Sequence, residues 1–137
     1  MRLLLIAIGE KMPLWVREGF ESYRRRLPLR LDLVEVPDRQ TMLKRLPKRR
    51  YTVALDLKGE EWSSEELSRR LNRWLHTGRD LTFLIGDAEG LPEPCLREAD
   101  QLWSLSKLTF PHMVCRIMVV EQLYRAFAQL KGHPYHR

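Results

Sequence analysis

Short apolar runs alternate with stretches of helical periodicity along the chain, and this order constrains the fold more than any other feature. Residues 3–8 (LLLIAI) are a continuous apolar run of the right length for a strand buried on both faces. Trp15, Val16, Phe20 and Tyr23 follow at helical spacing, with Pro13 near the start of that helix. Residues 31–36 (LDLVEV) alternate like a half-buried strand, and residues 38–50 read as a short helix or loop ended by Pro47. Residues 51–57 (YTVALDL) predict another strand, closed by Gly59. The clearest helix spans 63–78: Ser63 or Ser64 caps it, Glu65 and Glu66 suit its positive end, and Gly78 stops it. Residues 80–86 (DLTFLIG) are a buried strand running into a loop, and 101–106 (QLWSLS) the last strand. A long helix then runs from Pro111 in its first turn to Gly132 past its end. Alternation of this kind predicts an α/β fold, a mostly parallel sheet with helices on both faces. No repeat, low-complexity tract or linker interrupts it, so one domain over residues 1–137 is expected.

The final helix is apolar around much of its circumference, through Met113, Val114, Ile117, Met118, Val119, Val120, Leu123, Tyr124 and Phe127. One sheet face covers only a stripe of a helix. The excess suits either deep burial within one chain or contact with a second copy, and the second is favoured.

Apolar residues make up 44% of the 137, enough for a core without disulfides. Cys95 and Cys115 fit no metal or redox spacing, and Cys115 reads as a small core residue. No segment approaches membrane-spanning length, so a cytoplasmic protein without membrane contact is expected. The net charge is +6, and residues 17–50 carry that whole surplus, with eleven basic residues against five acidic ones. Such a localised surplus suits either phosphate contact or a solvated face.

Open parallel sheets bind ligands beyond the carboxyl ends of their strands. Two such places stand out. GDAEGL (residues 86–91) fits neither the dinucleotide fingerprint nor the phosphate-loop motif, and reads as a tight turn or as a close backbone approach to a ligand. SLSKLTFPH (residues 104–112) ends at a helix start. It reads as a capped entrance with Thr109 near the N-cap, or as free backbone for an adenine edge or a ribose. The last five residues, HPYHR, place two histidines, a tyrosine and an arginine where termini usually fray. Their spacing supports proton handling or anion contact better than a metal site.

Together, GEKMPLWV, IGDAEGL, SLSKLTFPH, EQLYRAF and the terminal HPYHR resemble the ribosomal RNA large-subunit methyltransferase H family, in the SPOUT class of RNA methyltransferases. The resemblance runs over the whole chain, with residues 38–50 shorter than is usual in the family. It implies an α/β fold with a C-terminal trefoil knot, a homodimer formed through the last helix, and S-adenosylmethionine as methyl donor. It further implies N3 methylation of a pseudouridine in a 23S rRNA hairpin within the ribosome, without a metal. Matched by motif, Leu55, Gly86, Leu105, Ser106, Lys107, Leu108, Thr109 and Phe110 would hold the donor, and His133, Tyr135, His136 and Arg137 would serve catalysis. Asp87 stands where the family usually has a second glycine. The rival expectation is a non-catalytic RNA- or ribosome-binding protein on the same scaffold.

Overall fold

The computed structural model describes residues 2–132. The proposed catalytic residues His133, Tyr135, His136 and Arg137 therefore lie outside the described residues. The elements run β1 (Leu3–Ile8), α1 (Leu14–Arg24), β2 (Leu31–Val36), α2 (Arg39–Lys44), β3 (Arg50–Glu60), α3 (Ser64–Leu75), β4 (Asp80–Ile85), α4 (Glu93–Glu98), β5 (Gln101–Trp103) and α5 (His112–Leu130). The strands form one sheet in the order β2-β1-β4-β3-β5, and every neighbouring pair is parallel.

Both faces of the sheet are covered, which is why β1 is apolar at every position. Leu3, Leu5 and Ala7 point into a core built with Val16 and Phe20 of α1, Leu67, Leu71 and Trp74 of α3, and Val119, Val120, Leu123 and Phe127 of α5. Ile6 and Ile8 point the other way, into a smaller core with Met42 of α2 and Cys95 of α4. α5 packs against both α1 and α3. Four aromatic side chains tie the β3–β5 end together: Trp62 stacks on Trp103 at 5.4 Å, and Phe83 meets Trp74 and Trp103 edge-on. Such pairs add about 0.5–1.5 kcal/mol each beyond their buried area.

α3 forms as its sequence dictates. Ser63 accepts the Glu66 N–H at 3.0 Å as N-cap, and Gly78 takes a left-handed conformation just after the helix.

Five expectations need correction. β3 does not close at Gly59 but runs through it. Leu55 and Glu60 both pair with Trp103, so residues 56–59 loop out of the ladder as a bulge. A side chain at Gly59 would sit 2.5 Å from the Leu102 carbonyl carbon, so the close approach demands glycine there. The last strand stops at Trp103, and residues 104–106 leave the sheet. α4 was unforeseen, because six residues containing Pro94 leave too little periodicity to read. Trp15 is 62% exposed, although its spacing placed it with Val16 and Phe20. The residue capping α5 is Pro111, not Thr109, and it offers no side-chain acceptor.

Candidate active site

In an all-parallel sheet every strand-to-helix connection lies at the carboxyl edge. Two of them, with the bulge inside β3, enclose a cleft of about 730 Å³ at that edge, within the size range of small-ligand sites. One wall is the β3 bulge with Leu55, Asp56, Leu57 and Lys58. The second is the β4–α4 loop from Gly86 to Gly90. The third is the β5–α5 loop, from Ser104 to Pro111, with His112 and Cys115 of α5 behind it. Seven of the eight sequence-derived donor residues line this cleft: Leu55, Gly86, Leu105, Ser106, Leu108, Thr109 and Phe110. Lys107 is exposed and does not line it.

Each wall has a local reason for its shape. Ser104 is buried, donates its hydroxyl to the Ser106 carbonyl at 2.9 Å, and is anchored by its own N–H on the Glu60 carbonyl at 2.8 Å. The Ser106 hydroxyl accepts the Leu108 N–H at 3.0 Å. The two serines thus fold the loop on itself and leave the Thr109 and Phe110 N–H groups without a hydrogen bond among the described residues. The β4–α4 loop is tighter still. Gly90 donates to the Asp87 carbonyl at 2.9 Å, and a side chain on Gly86 would lie 2.4 Å from the Gly90 carbonyl carbon.

Asp87 is integrated into that turn. Its Oδ1 accepts the Glu89 N–H at 2.9 Å, an Asx turn that a second glycine could not make. Its charge faces Arg39 at the start of α2, 3.6 Å away. Arg39 donates from Nη1 to the Gly90 carbonyl at 2.6 Å and from Nη2 to the Leu91 carbonyl at 3.0 Å. Sequence reasoning missed Arg39, which is 51 residues from its carbonyl partner at Gly90. α2 itself is placed by Asp38, whose carboxylate caps it through the Thr41 N–H and is held below the usual carboxylate range mainly by that bond.

A second missed residue is Arg116, which is fully buried on α5. It pairs with Glu35 of β2 through Nη1 and donates from Nη2 to the Gly9 carbonyl at 2.7 Å. This fastens the first turns of α5, and with them His112 and Cys115 at the cleft wall, to the ends of β1 and β2. Cys115 is half-buried, packed against the larger core and also reaching that wall, and burial pushes its thiol above the ordinary value. Few of its molecules are thiolate at neutral pH, so it is no ready nucleophile.

Among the described residues, the cleft has apolar walls, unclaimed backbone amides and an acidic excess, Asp56, Asp87 and Glu89 against Lys58. That arrangement suits a nucleoside-like ligand carrying positive charge.

A family model described as "Predicted SPOUT methyltransferase" matches residues 1–136. A "Ribosomal RNA large subunit methyltransferase H" from Thioalkalivibrio sulfidiphilus is 46% identical, covering 100% of this chain and 99% of its own. One of the same name from Alkalilimnicola ehrlichii is 44% identical, with the same coverage. Both alignments run over 155 positions, so eighteen of them face no residue of this 137-residue chain. Among solved structures, a probable methylase family protein from Haemophilus influenzae Rd KW20 aligns with a TM-score of 0.63 at 9% identity, over 99% of this chain and 70% of that one. The SpoU methyltransferase AviRb from Streptomyces viridochromogenes, solved in complex with the cofactor AdoMet, aligns with a TM-score of 0.56 at 12% identity. That match covers 96% of this chain and 59% of the other. Full-length identity above 40% and a family match over nearly every residue place this chain in the SPOUT methyltransferase family, among the relatives of ribosomal RNA large subunit methyltransferase H.

Proposed function

We propose that this chain is a cytoplasmic, homodimeric methyltransferase that uses S-adenosylmethionine to methylate N3 of a pseudouridine in a 23S rRNA hairpin on assembled ribosomes. The observation that carries this reading is the convergence of seven motif residues from three distant segments on one cleft, in a chain whose full-length relatives bear the rRNA methyltransferase name. The cleft suits the donor. Leu55, Leu105 and Phe110 offer apolar contact, free loop amides suit an adenine edge, and the acidic residues suit a cation.

When bound, the donor supplies an electrophilic methyl group on a sulfonium. Everything else is asked of this chain. Positioning for in-line attack supplies much of the rate, and the Ser104 and Ser106 hydroxyls shape the loop that would provide it. An imide nitrogen is a poor nucleophile until it loses its proton. His133 or His136 takes that proton, Arg137 stabilises the developing anion or a phosphate, and Tyr135 stacks on the base.

The active site is completed by a second copy. The half-buried Val114 and Met118 of α5, with Leu14 and Trp15 exposed at 69% and 62% on α1, support an apolar surface awaiting a partner. A C-terminal trefoil knot belongs to the same reading.

The test is calorimetric titration of the purified protein with S-adenosylmethionine, followed by methyl transfer to intact ribosomes. A chain lacking residues 135–137 should bind the donor and dimerise but transfer no methyl group. Full turnover by that truncation removes the tail from the mechanism, and absence of donor binding by the whole chain removes the enzyme.

A further inference from the structure

Because all five strands are parallel, the connections sort cleanly by edge. The helix-to-strand turns at the amino edge, together with Arg2 ahead of β1, carry eight lysines and arginines against one acid, Asp100. The strand-to-helix connections at the carboxyl edge, where the cleft lies, carry two basic residues and five acidic ones. The basic surplus of residues 17–50 is thus largely an edge of the folded sheet, joined there by Arg2 and Arg79 from elsewhere in the chain. Seven of the eight basic side chains are exposed. Arg25, Arg45, Lys48 and Arg49 have no acidic partner among the described residues. A hollow of about 450 Å³ opens at the same edge beside Arg24, Arg25 and Arg30.

We propose that this amino edge is a second RNA-contacting surface, binding phosphates of RNA that lies away from the methylated base. The inference deepens the proposed function and rests on it, because rRNA is the polyanion that reading supplies. Two observations carry it. The carboxyl edge has the wrong sign to attract a phosphate backbone, so attraction must come from elsewhere. And β1, β2 and β4, at six residues each, separate the two edges by about 20 Å, so the basic side chains cannot touch a base seated in the cleft of their own protomer. They act on encounter and affinity, not on the chemical step.

Arg26 is left out of the test because it lies over the Tyr23 and Tyr124 rings at 4.9 and 4.8 Å and serves packing. The variant combines Arg25→Gln, Arg45→Gln, Lys48→Gln and Arg49→Gln. Its binding to intact ribosomes is measured across a salt series, with S-adenosylmethionine titration as the control for folding. The expected result is ribosome affinity at least tenfold weaker near 0.15 M salt. The log–log salt slope should be shallower by about three, at roughly 0.7–0.9 per lost phosphate contact. The kcat at saturating ribosomes should stay within twofold and donor binding should not change. If the fourfold variant loses donor binding, the Lys48→Gln, Arg49→Gln pair is read instead, with a slope change of about half that size. Unchanged affinity and slope overturn the proposal, as does a fall in kcat with KM unchanged. Wild-type protein that binds anionic phosphatidylglycerol vesicles through these residues, with ribosome affinity indifferent to them, also overturns it. If the wild type transfers no methyl group yet its ribosome binding still responds as expected, the reaction assignment fails and the surface stands.

Discussion

Arg39→Ala is the perturbation that most sharply tests how the cleft is built. Arg39 reaches from the start of α2 to the Gly90 and Leu91 carbonyls and lies 3.6 Å from Asp87. Hydrogen bonds to a charged group contribute roughly 1.5–3 kcal/mol where shielded, and Arg39 is about one-third exposed, so the pair is set at about 2 kcal/mol in total. The Arg39–Asp87 ion pair is similarly exposed on both sides and adds less than about 1 kcal/mol. For a chain of this size, 1 kcal/mol moves the melting temperature by about 4 °C, so a fall of about 8 °C is expected.

The loop that Arg39 holds is a wall of the cleft. If the ligand needs that wall ordered, the same 2 kcal/mol appears as a dissociation constant raised by up to about 30-fold. Asp87→Asn separates charge from shape, since the amide oxygen still accepts from Glu89 while the charge is gone. It should move stability by less than about 1 kcal/mol. Thermal unfolding and S-adenosylmethionine calorimetry on both variants read the result. Arg39→Ala with unchanged melting temperature and donor affinity would refute the claim that Arg39 supports the loop. A larger loss from Asp87→Asn than from Arg39→Ala would show that the carboxylate itself contacts the ligand.

Two further substitutions probe the frame. Gly86→Ala forces a methyl to within 2.4 Å of backbone, so the turn must shift at a cost of about 1–3 kcal/mol; donor affinity should fall at least tenfold, and an unchanged titration would disprove the crowding. Glu35→Ala leaves the buried Arg116 charge uncompensated and should cost about 3 kcal/mol or more in denaturant unfolding, whereas Glu35→Leu with Arg116→Met should recover most of it; equal losses in the single and double variants would mean that the pair is not what the site depends on.

Much of the fold was legible because its strands are short, apolar and separated by well-marked helices. β1 and β4 are covered on both faces: β1 reads as an unbroken apolar run, and β4 as a buried one interrupted only by Thr82 after Asp80. α3 carries its own start and stop in Ser63 and Gly78. What stayed hidden depends on contacts far apart in sequence. Arg116 finds Glu35 across 81 residues, and periodicity gives no hint that a charge sits inside an apolar helix because a strand carboxylate awaits it. Trp15 failed for a related reason. Helical spacing tells which residues share a face, not what covers that face, and nothing in the described chain covers Trp15. The cleft residues were legible by resemblance. Their mode of assembly was not, because it needed the bulge at residues 56–59 and the crossing at Gly59 to bring β3 against the β5–α5 loop.

The charge asymmetry of the sheet connects these elements to the proposed chemistry. A cationic donor and an anionic RNA must meet at one place, and a single potential cannot attract both. The carboxyl edge is acidic, which favours the sulfonium and repels phosphates. RNA must then be drawn by positive charge that the cleft of one protomer does not supply. Two groups of basic residues stand out: the terminal segment, with His133, His136 and Arg137, and the amino edge, with Arg25, Lys48 and Arg49. A short terminal segment can meet a phosphate or an imide anion next to the reacting base. A broad edge held about 20 Å away by the strands meets RNA that the base belongs to but the chemistry never touches. The first source should therefore govern kcat and the second KM. A pair of variants, one losing residues 135–137 and one losing the edge charges, should separate along those two parameters when assayed on the same ribosomes.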